Sequence, residues 1–194
     1  MSRYFFILYP SSPELQVHID LMCLVCDPSR IRTAHLTVRG PYTAKPKPGK
    51  WSNAKNIHVS VCGVGIFFLP KQNTVFLRCT SSELRNLWWK RDYKEPEPHI
   101  TIYDGDSREF AQRALKILEK YDLSFEFVAD CLQEYRSRNG QQSLEFWPSD
   151  YDTLCQEIGE PRLSLQLLRT IKDDERLVYL DKLAARLSSM KMCV

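Results

Sequence analysis

The chain is 194 residues long, 43% hydrophobic and 26% charged, the composition of one globular domain, or of one domain with an extension. Its 27 Lys and Arg against 24 Asp and Glu leave a net charge of +3, which argues against bulk electrostatic capture of nucleic acid while leaving an anionic substrate open. Seven cysteines, no apolar run near the roughly 20 residues of a membrane span, and a start ended too soon by Pro10 to be a signal peptide point to a reduced, cytoplasmic protein that uses its cysteines as small core residues.

Arg3 to Tyr9 is aromatic and β-branched and reads as a buried strand stopped by Pro10. Ser12 as N-cap and Pro13 at the first helical position start a helix, and Leu15, Ile19, Met22 and Cys26 give Glu14 to Cys26 an amphipathic spacing. Cys23 and Cys26 form a C-x-x-C inside that apolar stretch, with no second pair and no partnering histidines, so neither zinc nor redox use is expected. Arg32 to Arg39 reads as a strand. The segment Gly40 to Lys55, with three prolines after Gly40 and Lys45, Lys47, Lys50 and Lys55, reads as a long basic loop.

Ile57–Cys62, Val64–Leu69 and Thr74–Cys79 are strand-like runs, with turns expected at Gly63 and at Lys71 to Asn73. Ser81 or Ser82 caps a helix through about Lys90. Pro96 and Pro98 force an extended approach to a strand from His99 to Tyr103. A helix over Ser107–Tyr121 follows, then a strand over Ser124–Val128, and Asn139-Gly140 marks a hairpin between Leu132–Ser137 and Ser143–Phe146. From about Asp150 to Val194 the pattern is helical. Leucine stripes there predict an extension packed on the main fold, with a partner or oligomer contact as the alternative.

One phrase occurs twice: His35-Leu36-Thr37-Val38 and His99-Ile100-Thr101-Ile102. On a strand the side-chain period is two, so histidine and threonine share one face while Leu36, Val38, Ile100 and Ile102 point into a core. Each phrase is preceded by a strand and a helix, an organisational repeat that suggests two similar lobes with a cleft between them. Two imidazoles beside one phosphate supply both a proton acceptor for the attacking oxygen and a proton donor for the leaving oxygen. His58-Val59-Ser60-Val61 is a third near-match, ranked lower because no strand–helix unit precedes it. His18, within the first helix, reads as structural or solvated. No cluster of Asp, Glu and His suggests a catalytic metal, and no Walker or Rossmann phrase is present.

With these motifs the chain resembles the 2H phosphoesterase superfamily, named for two H-x-T/S-x motifs on strands, which includes 2'-5' RNA ligase-like proteins, cyclic phosphodiesterases of RNA ends and phage enzymes that degrade cyclic nucleotide signals. The resemblance covers about Met1 to Pro148 and leaves the helical tail unexplained. It implies an α+β fold, two-lobed and pseudo-symmetric, with two antiparallel sheets flanking a central cleft and helices outside. The domain organisation expected is a catalytic unit over residues 1–149 and a helical C-terminal extension over 150–194.

The implied activity is metal-independent cleavage of a nucleotide phosphodiester: a cyclic nucleotide or oligonucleotide, a 2'-5' linkage, or a 2',3'-cyclic phosphate RNA end. Reverse 2'-5' ligation is conceivable, and no cofactor is implied. The alternative is a nucleotide- or RNA-binding module that does not cut. His35 and His99 would be the acid and base, their order set by how the substrate lies, and Thr37 and Thr101 would bind the non-bridging phosphate oxygens. Continuing the period of two adds Arg39 as a phosphate-holding cation and Tyr103 as a cleft aromatic. Tyr42 and Trp51, beside lysines in the basic loop, are candidates for stacking on a base. The partner expected is a nucleotide or short RNA substrate, without a membrane.

Overall fold

In the computed structural model the described residues are 3–29, 33–44, 47, 53–70, 72–87, 97–137, 150–160 and 163–190. Strands β1 (Arg3–Leu8), β2 (Leu36–Tyr42), β3 (Lys55–Leu69), β4 (Gln72–Thr80), β5 (His99–Gly105), β6 (Ser124–Cys131) and β7 (Gln133–Ser137) form one sheet in the order β6-β3-β4-β5-β2-β1-β7. Every neighbouring pair is antiparallel. The two separate sheets that the resemblance implies are therefore a single sheet. The reason is local: the two motif strands lie edge to edge and pair at Leu36↔Ile100, which joins a β7-β1-β2 half to a β5-β4-β3-β6 half.

Helices α1 (Pro13–Cys26) and α3 (Arg108–Leu118) pack on the sheet, and α4 (Asp150–Glu157), α5 (Leu165–Thr170) and α6 (Asp173–Ser189) pack beyond them, α6 against both α1 and α3. The short α2 (Leu84–Leu87) follows β4. Ser12 caps α1 by accepting from the Leu15 N–H, with Pro13 in the first turn, and Ser107 caps α3 by accepting from the Phe110 N–H. The amphipathic α1 of the sequence reading is in fact buried along nearly its whole length, because the helical tail covers its outer side. Leu163, Leu168, Leu177, Leu180, Leu183 and Leu187 join the same core as Leu36, Ile100 and Ile102, so the extension is packed on the main fold. No helix among the described residues is long and apolar enough to cross a membrane.

Gly63 does not turn the chain. With φ +100° it sits in an irregularity of one long strand, β3, between the pairs Val61↔Cys79 and Val64↔Leu77. The expected hairpin over Asn139-Gly140 and its second strand lie outside the described residues; β7 pairs with β1.

Candidate active site

The helix-facing side of β2 and β5 is sealed. Leu36, Val38, Ile100 and Ile102 are each at most 1% exposed. The other side is open, and there His35, Thr37, His99 and Thr101 line one cavity of about 60 Å³, together with Thr33 and Ala34. Antiparallel pairing about Leu36↔Ile100 sets the two motifs crosswise, His35 against Thr101 and Thr37 against His99.

The two histidines are held the same way. His35 Nδ1 lies 2.8 Å from the Thr33 carbonyl oxygen, and His99 Nδ1 lies 2.7 Å from the Glu97 carbonyl oxygen. A carbonyl only accepts, so Nδ1 carries the proton and donates in both rings, and in the neutral ring the basic lone pair belongs to Nε2. Both contacts reach back two residues, and both fix ring orientation as well as tautomer.

The surroundings of the rings differ. His99 packs against Phe76 (centroids 4.9 Å apart) and edge-on to Phe67 (5.5 Å), with those two rings stacked at 4.4 Å. Gly65 lies beneath Phe76; a Cβ there would fall 2.5 Å from the Phe76 ring, so the stack needs glycine. His35 meets Tyr9 edge-on at 6.2 Å. Arg78 stands opposite His99 in register and pairs with Glu97 at 3.2 Å, a half-exposed ion pair of little energetic weight.

His58 stays apart. It lies on β3, with β4 between it and β5, its side chain exposed and its N–H donating to Glu83 Oε2 at 2.8 Å, while Ser60 Oγ donates to Glu126. His18 is structural: it is fully buried on α1, and Nε2 donates to the Leu183 carbonyl at 2.8 Å. Burial pushes its pKa down to about 4.

Two of the substrate-binding expectations fail for one shared reason. The alternation of buried and half-buried residues runs regularly through His35 to Val38 and through His99 to Ile102, then breaks at Arg39 and at Tyr103, both buried. On β2 the pairing moves from Ile7↔Thr37 to Phe6↔Arg39, and on β5 from Phe76↔Thr101 to Val75↔Tyr103, so each strand carries one extra residue just past its threonine. A bulge of this kind cancels the period of two. Arg39 therefore turns from the cavity, its Nε donating to the Tyr42 hydroxyl at 3.0 Å and Nη1 to the Leu87 carbonyl at 3.1 Å. Tyr103 packs on Phe110 of α3, and its hydroxyl is bonded to the Ser107 backbone.

Tyr42 belongs to β2 rather than to the basic loop. It pairs with Tyr4 and packs edge-on against Phe6, half-buried, away from the cavity lining. Trp51 lies outside the described residues. What sequence reasoning missed is a polar grip behind His35: Ala34 N–H donates to Asp20 Oδ1 (2.6 Å), and Gln16 Nε2 donates to the Ala34 carbonyl (2.9 Å). The available signal was Gln16 and Asp20, polar residues one turn apart in a largely apolar helix.

No family model matches the chain, and no curated protein matches it.

Proposed function

We propose that the chain is a phosphodiesterase of the 2H type that cleaves a nucleotide phosphodiester by two-histidine general acid–base catalysis. The single observation that carries this reading is the matched tethering of the rings, Nδ1–H to a backbone carbonyl in both, beside one shared cavity. Each ring is thereby set to exchange protons at Nε2. With phosphate in the cavity, one neutral imidazole takes the proton of the attacking oxygen, and the other, as imidazolium, protonates the leaving oxygen. The Thr37 and Thr101 hydroxyls donate to the non-bridging oxygens, where negative charge grows in the transition state.

On this reading the two strand–helix–motif units are pseudo-symmetric lobes. The order β4-β5-β2-β1 and the bulge that follows each threonine support that view. The substrate has one phosphate in the cavity and its nucleoside parts outside: a 2',3'-cyclic phosphate, a 2'-5' linkage or a cyclic oligonucleotide.

The test is incubation with 2',3'-cyclic nucleotides, 2'-5' oligoadenylate and cyclic dinucleotides in EDTA. Turnover of at least one class that vanishes in His35→Ala and in His99→Ala, but survives in His58→Ala, is the expected result. Binding without product in every class would replace the enzyme with a nucleotide-binding module.

A further inference from the structure

We propose that Gln16 and Asp20 of α1 are positioning residues for His35. They hold both backbone groups of Ala34 and so aim the carbonyl to which His35 is tethered. The proposal rests on the two-histidine reading for its catalytic meaning, while its structural content concerns the His35 ring alone.

The argument begins with peptide planarity. The Ala34 N–H and the Thr33 carbonyl belong to one rigid plane and point in opposite directions. Asp20 Oδ1, 2.6 Å from the Ala34 nitrogen, therefore orients the same peptide whose oxygen accepts from His35 Nδ1 at 2.8 Å. Gln16 Nε2 grips the next peptide through the Ala34 carbonyl at 2.9 Å, and it also donates to Asp20 Oδ1 at 2.8 Å. Three hydrogen bonds thus lock the two planes that flank Ala34, which is 3% exposed and lines the cavity. Hydrogen bonds in series also polarise one another, so a bonded Ala34 N–H makes the Thr33 oxygen a stronger acceptor and His35 Nε2 more basic.

The cost of burying these groups argues that they have a task. Gln16 is 7% exposed; its Nε2 makes two hydrogen bonds, while its Oε1 is buried with no partner among the described residues, a burial that disfavours folding. The second motif needs no such grip. Pro98 occupies the place of Ala34, has no N–H to satisfy, and its carbonyl accepts from Cys79 N of β4 at 2.9 Å. Burial pushes the Asp20 carboxyl up to about 7, so its acid form, with Oδ1 as a carbonyl acceptor, persists toward neutral pH. Asparagine offers the same acceptor.

The experiment compares wild type, Asp20→Asn and Asp20→Leu on the full chain. Nitrogen-15 NMR of the histidine side chains reads tautomer and titration of His35 and His99 separately. Asp20→Asn should leave His35 unchanged. Asp20→Leu should mix its tautomers and lower its titration midpoint by about half a pH unit or more, with His99 unmoved. Because Asp20→Leu can cost the fold, Gln16→Met, which removes the bond to the Ala34 carbonyl and keeps volume, is measured beside it with the same expectation.

A His35 ring with wild-type tautomer and midpoint in the folded Leu or Met variant overturns the proposal. So does an equal shift at His99. Where wild type turns over a 2',3'-cyclic nucleotide, kcat should fall roughly tenfold in Asp20→Leu with KM nearly unchanged. If wild type turns over nothing, the enzymatic reading fails, and the NMR result still decides the positioning role.

Discussion

The two halves of the sheet solve one problem with different parts. In each, a histidine lines a common cavity, and in each the ring is tethered by Nδ1 to the carbonyl two residues back. The second half flanks that carbonyl with backbone and covalent geometry: Pro98 follows it, and the Pro98 carbonyl accepts from the strand N–H of Cys79. It then beds the ring on Phe67 and Phe76. The first half uses two polar side chains from a helix, with Tyr9 edge-on to the ring. An equivalent tether does not require equivalent support. A tether built on backbone tolerates substitution of its neighbours; one built on side chains depends on their identity.

The largest effect tests whether the halves are functional equals. His35→Ala and His99→Ala should each lower kcat/KM by about 10³-fold or more, and the double variant should be little worse than either, because acid and base act as a unit. A residual rate in one single variant close to wild type would break the equivalence. Next, Thr37→Val and Thr101→Val should each cost about 10²-fold in kcat, the magnitude of removing one oxyanion donor; unequal losses would show which strand carries more of the developing charge.

Stability sharpens the contrast, because His18, on the helix of the first half, titrates abnormally. His18 is neutral in the folded chain down to about pH 4, whereas the unfolded side chain protonates near pH 6.5. The unfolded state thus binds more protons between those values, and His18 lowers stability as pH falls through this window, by at most a little over ~3 kcal/mol. Asp20 acts in the opposite direction: its folded carboxyl keeps a proton up to about pH 7 that the unfolded one loses near 3.8, so its contribution falls as pH rises. Chemical denaturation of wild type and His18→Gln at pH 7.5 and 5 isolates the first effect; the variant should lose less stability on acidification. The smallest effect belongs to the second half. Gly65→Ala pushes on the Phe76 ring and should cost about 1–2 kcal/mol, with the His99 NMR signals displaced and those of His35 in place.

Much of this was legible in the sequence, and the failures have a physical pattern. The repeated H-x-T phrase located four residues that line one cavity, because a period of two holds over three positions whatever the tertiary context. The Ser12 and Ser107 caps were readable for the same reason: a cap is a local bond. Extending the period one step further failed at Arg39 and Tyr103, since a bulge is set by the register of the neighbouring strand and leaves no mark in the strand itself. The turn expected at Gly63 failed likewise, because a glycine with positive φ serves a bulge as well as a turn. The grip on Ala34 joins residues 14 and 18 positions apart, and Gln16 and Asp20 show only as polar interruptions of α1 until the fold brings Ala34 to them.

The junction of the sheet at Leu36↔Ile100 has a mechanical meaning. A seam fastened at one residue pair resists rotation poorly, yet the two histidines of the proposed acid–base pair sit on opposite sides of it, and proton transfer tolerates little drift in their separation. Helix α1 spans the gap: it enters from β1, leaves toward β2, and lies against β5, where Cys23 Sγ donates to the Thr101 carbonyl at 3.2 Å. It is the crossbar of a caliper whose jaws are the two imidazoles. On the proposed two-histidine reading, repacking of its buried side toward β5 would change the gap between them without altering any residue that lines the cavity.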